Sequence, residues 1–365
     1  MNPGPVRLSA AQAGWLVFYL TLGLTPFTAA ELVDGAMGRW AWASIVPGWT
    51  AGLLGLLAVA VLRRRRPQSS ALEYAPALFG RQVGWLYLLV LGLVLAAGAV
   101  LTLHTLLVVL GLTLAAETPQ WLLALILTAL AGYAAFFGPE VIARVGEIML
   151  ILVLPGLAFT LGVPWINAEP GRLVPMAAVP WSVLLGNWRL TAALGFCHGF
   201  LPLLVLAPAV TGPGAVRNSI VAHALAGILL LVALALPVAV LGLALAARLH
   251  FPLLEAVGTL AWRSVPFQRL GQLAVLVWQI VALIALSTYL WLAAAVGGWL
   301  FAGGRWRPLV PALGTAVVAV ISLGLRGGTW LAGIAIWHGL VVAVGVLGPL
   351  SMALAALVRR PRLSA

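Results

Sequence analysis

Long apolar stretches follow one another almost without interruption along 365 residues, at about 11–32, 40–62, 83–112, 120–138, 146–165, 188–211, 219–247, 270–302, 309–325 and 330–358. Each approaches or exceeds the ~20 apolar residues that carry a helix across the hydrocarbon of a bilayer. Lipid offers backbone amides and carbonyls no partners, so such segments must close their own hydrogen bonds as helices. The chain is therefore expected to be an all-α polytopic membrane protein with ten transmembrane helices and the lipid bilayer as its solvent. With 63% hydrophobic and 8% charged residues, a water-soluble fold is excluded.

A net charge of +12 would suit nucleic acid, but all 20 basic residues are arginines and most sit at span ends, where membrane topology accounts for them. No nucleic-acid partner is expected. The first span ends without a cleavage-like small-residue motif and reads as a retained helix. Ten spans put both termini on one side. With that side cytoplasmic, 13 arginines fall inside, Arg63, Arg64, Arg65 and Arg66 among them, and seven outside, which favours N-in and C-in. Trp40, Trp85, Trp121, Trp165, Trp188, Trp306 and Trp330 lie near span ends and read as interfacial anchors.

The chain reads as one integral membrane domain, with a first half at 11–165, a second at 188–358, and longer outer loops at 166–187 and 248–269. Either loop could carry a short helix, as a connector over the bundle or as a lid over a site. The two halves carry matching interruptions. Gly23-Leu24-Thr25-Pro26 and Gly199-Phe200-Leu201-Pro202 are the only places where Gly is followed three residues later by Pro, and each lies in the first span of its half. Gly weakens a helix and Pro removes a donor, so each pair should kink or unwind its span and free backbone groups to face a ligand. Simple Pro kinks are the alternative.

Ionisable groups inside apolar spans are costly and mark candidate sites. His104, His198 and His338 qualify, each either satisfied by a neighbouring helix or able to carry a proton, and His198 adjoins the second interruption beside the single cysteine, Cys197. Glu31 and Glu147 lie at span ends. Ser287-Thr288-Tyr289 is a run of three hydroxyl residues within a span; Ser287 and Thr288 could hold a small cation or simply pack between helices. The histidines do not recur at metal-site spacing, and no nucleophile elbow, phosphate loop or carboxylate pair is present, so neither metal, cofactor nor catalytic residues are expected.

Particular stretches then carry a likeness. Leu8-Ser9-Ala10-Ala11-Gln12, Ala71-Leu72-Glu73-Tyr74, Glu117-Thr118-Pro119, Glu140-Val141-Ile142-Ala143-Arg144-Val145-Gly146-Glu147-Ile148 and Phe251-Pro252-Leu253-Leu254-Glu255 occur in order. Together they resemble the GerAB-type family, the permease-like B subunits of bacterial spore germinant receptors. That family is similar to the amino acid–polyamine–organocation transporters, which implies a LeuT-like five-plus-five inverted repeat with broken helices 1 and 6. The resemblance implies a place in the inner membrane of the spore or the cell membrane, A and C subunits as partners, and a small germinant, often an amino acid. It places the ligand among Gly23, Thr25, Pro26, His104, Cys197, His198, Gly199, Phe200 and Pro202. Phe200 stands where the family carries an acidic residue, which argues against an ammonium held by a carboxylate there. The expected function is a receptor subunit that signals to its partners. A secondary transporter coupled to H⁺ or Na⁺ through His198 or Ser287 and Thr288, and a gated passage for water or ions, are the alternatives.

Overall fold

The computed structural model describes residues 7–23, 45–173, 198–212, 214–249, 251–259, 270–301, 309–325 and 327–358. The helices are α1 (Ala10–Gly23), α2 (Ile45–Arg65), α3 (Ala71–Phe79), α4 (Arg81–Thr113), α5 (Gln120–Phe137) and α6 (Pro139–Gly162). They continue as α7 (Leu201–Leu206), α8 (Ala215–Leu241), α9 (Pro252–Gly258), α10 (Leu270–Phe301), α11 (Leu309–Gly324), α12 (Gly327–Leu340) and α13 (Gly348–Val358). Among the described residues seven helical segments are long and apolar enough to cross a membrane, and Leu313–Gly324 is a shorter apolar one.

Local chemistry sets the helix starts. Ser9 and Gln12 exchange side-chain and backbone bonds of 3.0 and 3.1 Å, a capping box that opens α1. Ser70 and Glu73 form the same device ahead of α3. Gly80 and Gly138 take φ of +84° and +96°, conformations that L side chains resist, and so allow α3 to turn into α4 and α5 into α6. Pro139 follows at the first position of α6, where its missing N–H costs nothing. These turns explain two differences from the sequence expectation. Helix α6 starts seven residues before the predicted 146, because the polar 139–145 stretch is helix outside the apolar run; α3 is a short amphipathic helix that no long apolar run announces.

Helices α4 and α10 lie along each other, and α1 is set among α6, α8 and α10. Small residues let these backbones close. A methyl group on Gly23 would stand 2.4 Å from the Ala285 side chain, and one on Gly98 would meet the Tyr289 ring at 2.7 Å. Helices α5 and α11 pack on each other and on α4 and α10. Leu125, Tyr133 and Phe137 of α5, Ile148 and Ile151 of α6 and Val320 of α11 stay exposed. In water such apolar surface would be a liability; against lipid it is the expected exterior.

The last span is not one helix in register. A π-helical turn, Val341–Leu347, separates α12 from α13. Helix α12 packs on α4, the turn touches both α4 and α2, and α13 packs on α2 and α3. Two connections are also defined. Residues 163–173 form two 3₁₀ turns beside the end of α8, where Arg172 pairs with Glu169 at 2.6 Å and Glu169 N–H donates to Ala239 O at 3.0 Å. The loop beginning at 248 contains α9, packed on α8 and α10.

Candidate functional site

The second Gly-Pro interruption is not α-helical through its glycine. His198, Gly199 and Phe200 form a turn, helix begins only at Leu201 with Pro202 in its first turn, and it passes into a 3₁₀ turn at Ala207–Ala209. This turn meets the end of α1. His198 Nε2 lies 2.7 Å from Leu20 O, and a Cβ on Gly199 would come within 1.9 Å of Thr21 Oγ1. The second interruption is therefore in direct contact with the end of α1, at a point where only glycine fits, while Leu24, Thr25 and Pro26 of the first lie outside the described residues. The Phe200 ring covers Gly55 of α2, where a Cβ would stand 2.2 Å from the ring.

Aromatic side chains close the other side of His198. Its ring centroid is 5.2 Å from that of Trp337 and 6.3 Å from that of Tyr289, and these two are 6.1 Å apart. Trp337 Nε1–H donates to Val94 O at 2.7 Å, which fixes the indole between α12 and α4. His338 follows, with its ring 5.1 Å from the indole. All four side chains are buried.

Several buried polar atoms have no hydrogen-bond partner among the described residues: Nδ1 of His198, His223 and His338, and, elsewhere on α10, both amide atoms of Gln279. His223, on α8, stacks on Trp49 at 6.1 Å and points Nε2 at Trp49 O, 3.1 Å away. Buried polar groups are nearly always paired, so a set of unpaired ones marks a place where something else binds or where the bundle has another arrangement.

The remaining candidates go elsewhere. His104 Nδ1 lies 2.9 Å from Ser322 O, and Ser322 Oγ donates to Val318 O at 2.6 Å and approaches Val100 O at 3.1 Å, joining α4 to α11. Ser287 and Thr288 donate to Leu283 O and Ile284 O of their own helix at 2.9 and 2.8 Å, an ordinary arrangement for hydroxyls in an apolar helix. Thr25, Pro26 and Cys197 lie outside the described residues, as do Glu31, Trp40, Trp188 and Trp306. Among the described residues no group of three or more His, Cys, Asp or Glu could hold a metal. His223 and Trp337 were not legible as site residues; a lone polar residue or indole in an apolar run has no pattern to single it out.

A second constellation lies at the arginine-rich end of α2. Leu8 pairs with the segment after α7, through Leu8 N–H to Ala209 O at 2.9 Å and Thr211 N–H to Leu8 O at 2.8 Å. Arg63 Nη2 donates to Val210 O at 2.6 Å. On the other side Arg7 N–H donates to Glu140, Gln12 Nε2 to Glu147 at 3.2 Å, and Tyr19 OH to Gly146 O at 2.7 Å. Tyr74 OH donates to Leu62 O at 2.6 Å, with Arg66 O at 3.2 Å, and burial pushes its phenol up to about 12. The residues of the 140–148 stretch thus receive the start of the chain.

A profile of the spore permease family, described as spore germination protein, matches residues 7–324. The chain belongs to this family. Spore germination protein KB of Bacillus subtilis (strain 168) is 24% identical over 258 residues, which is 70% of this chain and 68% of that protein. Among solved structures, a substrate-bound, outward-open Na⁺-coupled sialic acid symporter superposes with a TM-score of 0.63 at 14% identity, over 97% of this chain and 79% of its own. A manganese transporter mutant of Eremococcus coleocola gives 0.58 at 15% identity, over 95% and 77%. The spore permease chain therefore has the LeuT-like transporter fold in an integral, multi-pass membrane protein of transporter or receptor type.

Proposed function

We propose that this chain is the B subunit of a spore germinant receptor, a transporter-fold protein that binds a small germinant such as an amino acid and passes the change to A and C subunits. The family match over residues 7–324 carries this reading. The geometry supports it: the interrupted 198–202 segment meets the end of α1 at Leu20 and Thr21, beside polar atoms left unpaired among the described residues. A ligand that binds one arrangement of such a crossing better than another shifts the bundle toward it, and that shift is a signal whether or not solute crosses. Both termini are assigned to the cytoplasmic side and the halves at 11–165 and 188–358 to an inverted repeat.

A second reading is a secondary transporter of an amino acid or similar solute coupled to H⁺ or Na⁺, favoured by the transporters that share its fold. Purified chain in liposomes, free of partners, separates the two when tested for thermal stabilisation and uptake across a panel of amino acids. Stabilisation without uptake is the expected result, and uptake driven by a pH or Na⁺ gradient would replace the receptor reading with the transporter one. Co-purification with A and C subunits tests the partner assignment directly.

A further inference from the structure

The crossing holds more imidazole than packing explains. A backbone carbonyl can only accept, so the bonds to Leu20 O and Trp49 O require the proton of His198 and of His223 to sit on Nε2. A neutral imidazole then has a bare lone pair at Nδ1. In both residues that atom is buried with nothing among the described residues donating to it, and in His338 Nδ1 is likewise buried and unpartnered among them. His198 and His223 are 0% exposed and His338 4%. His338 lies across the Trp337 indole from His198, and His223 lies within electrostatic reach of His198. Two lone-pair acceptors, on His198 and His223, and the unpartnered Nδ1 of His338 are thus contributed by three different segments near the point where the 198–200 turn touches α1.

What these acceptors take must need almost no room, because Gly199 is pressed on Thr21 and Phe200 on Gly55. We propose that His198 and His338, with His223 behind them, form a proton-binding site whose occupancy biases the bundle between its closed arrangement and one that admits water. A proton from solvent forms an N–H bond at Nδ1 of His198, leaving an imidazolium that keeps its Nε2–H bond to Leu20 O. A charge at this depth is costly until it is hydrated, so the protonated form favours opening. Repulsion between neighbouring imidazoliums makes the pair hold one proton at a time, as coupled sites do.

The other titratable side chains on the surrounding elements are already engaged or contribute only a ring. Tyr19 of α1 donates to Gly146 O, Tyr87 of α4 to Val344 O, and Arg63 of α2 to Val210 O. His104 of α4 faces Ser322 O, and Tyr289 of α10 presents its ring. Among the described residues no carboxylate acts on the three imidazoles. The proton is thus the species that this set is equipped to receive. The inference deepens the two-state reading above and holds for a receptor or a transporter alike.

The test uses the full chain in nanodiscs, labelled with ¹⁵N in its imidazole rings and titrated from about pH 8 to pH 4 with the proton as the sole probe. With five histidines in the chain, single substitutions assign every signal. The expected spectrum at the alkaline end has His198 and His223 as Nε2–H tautomers, and on acidification His198 titrates at a pH that His338→Gln changes. Tryptophan emission should fall in the same step, since an imidazolium quenches the indole beside it, and Trp337→Phe should remove that fall. A His198 that carries its proton on Nδ1, that never titrates in this range, or that titrates unaltered by His338→Gln overturns the proposal. The tautomer is read on the unsubstituted chain, so a variant that misfolds does not blunt the test. Because no germinant is added, a negative result leaves the receptor assignment standing, and failure to bind amino acids leaves the proton result standing.

Discussion

The crossing around His198 and the arginine-rich end of α2 use similar polar residues in opposite ways. At the crossing, three imidazoles hold buried atoms with no partner among the described residues. At the arginine-rich end, Leu8, Gln12, Arg63, Ser70 and Tyr74 are bonded to carbonyls, amides or carboxylates, and among the described residues Arg63 Nη1 is the one buried side-chain atom there left over. A fully bonded region resists rearrangement, whereas unpaired buried groups gain by it. The difference teaches that one end of the bundle is a bonded clasp and that the crossing is where the proposed second arrangement would be reached.

The comparison breaks most severely through its tightest contact. Gly199→Val should destabilise the protein by about 3 kcal/mol, because the added carbons enter the space of Thr21. Thr21→Ala in the same chain should recover part of the loss, seen as a partial return of the thermal midpoint in detergent. A single variant that melts like its parent would remove the close contact between the 198–200 turn and the end of α1.

Arg63→Ala should cost about 2 kcal/mol by taking a charge-assisted bond from Val210 O, and limited proteolysis after residue 211 should then speed up. Unchanged cleavage would mean that the clasp does not depend on this arginine. Ser70→Ala should cost about 1 kcal/mol through loss of the capping box of α3, with faster amide exchange confined to residues 71–74 as its signature.

A further effect is alkaline. Tyr74 ionises at about 12 in the fold against an ordinary value of 10.0, so its stabilising share is complete below pH 10 and is lost as pH rises through about 12. The stability difference between the parent and Tyr74→Phe should narrow across that window. A constant difference would place the phenol in water rather than under the clasp.

The apolar runs made most of the helices legible, since a lipid-facing segment has almost no alternative to α-helix. The Gly199-Pro202 spacing located the crossing, because backbone that cannot carry a side chain or donate an N–H is visible residue by residue. The roles within the crossing were not. Of the histidines singled out, His104 faces Ser322 on α11, whereas His223 joins the set around His198, and helical periodicity cannot tell these apart when every face of a helix is apolar. Glu140 and Glu147 were legible only as members of a motif. Their work, receiving Arg7 and Gln12 from 133 and 135 residues away, exists only once the chain is folded.

The π-helical turn at Val341–Leu347 has a consequence for how the last span answers motion. An α-helix without such a turn would keep one stripe toward one neighbour along its whole length, but the wider turn re-aims the stripe part-way along. The half before the turn thus packs on α4, through Trp337, while the half after it packs on α2 and α3 beside the clasp. The span is a coupling rod with a swivel in it, and deleting one residue from 341–347 would lock the swivel and force the two partners to contest a single face.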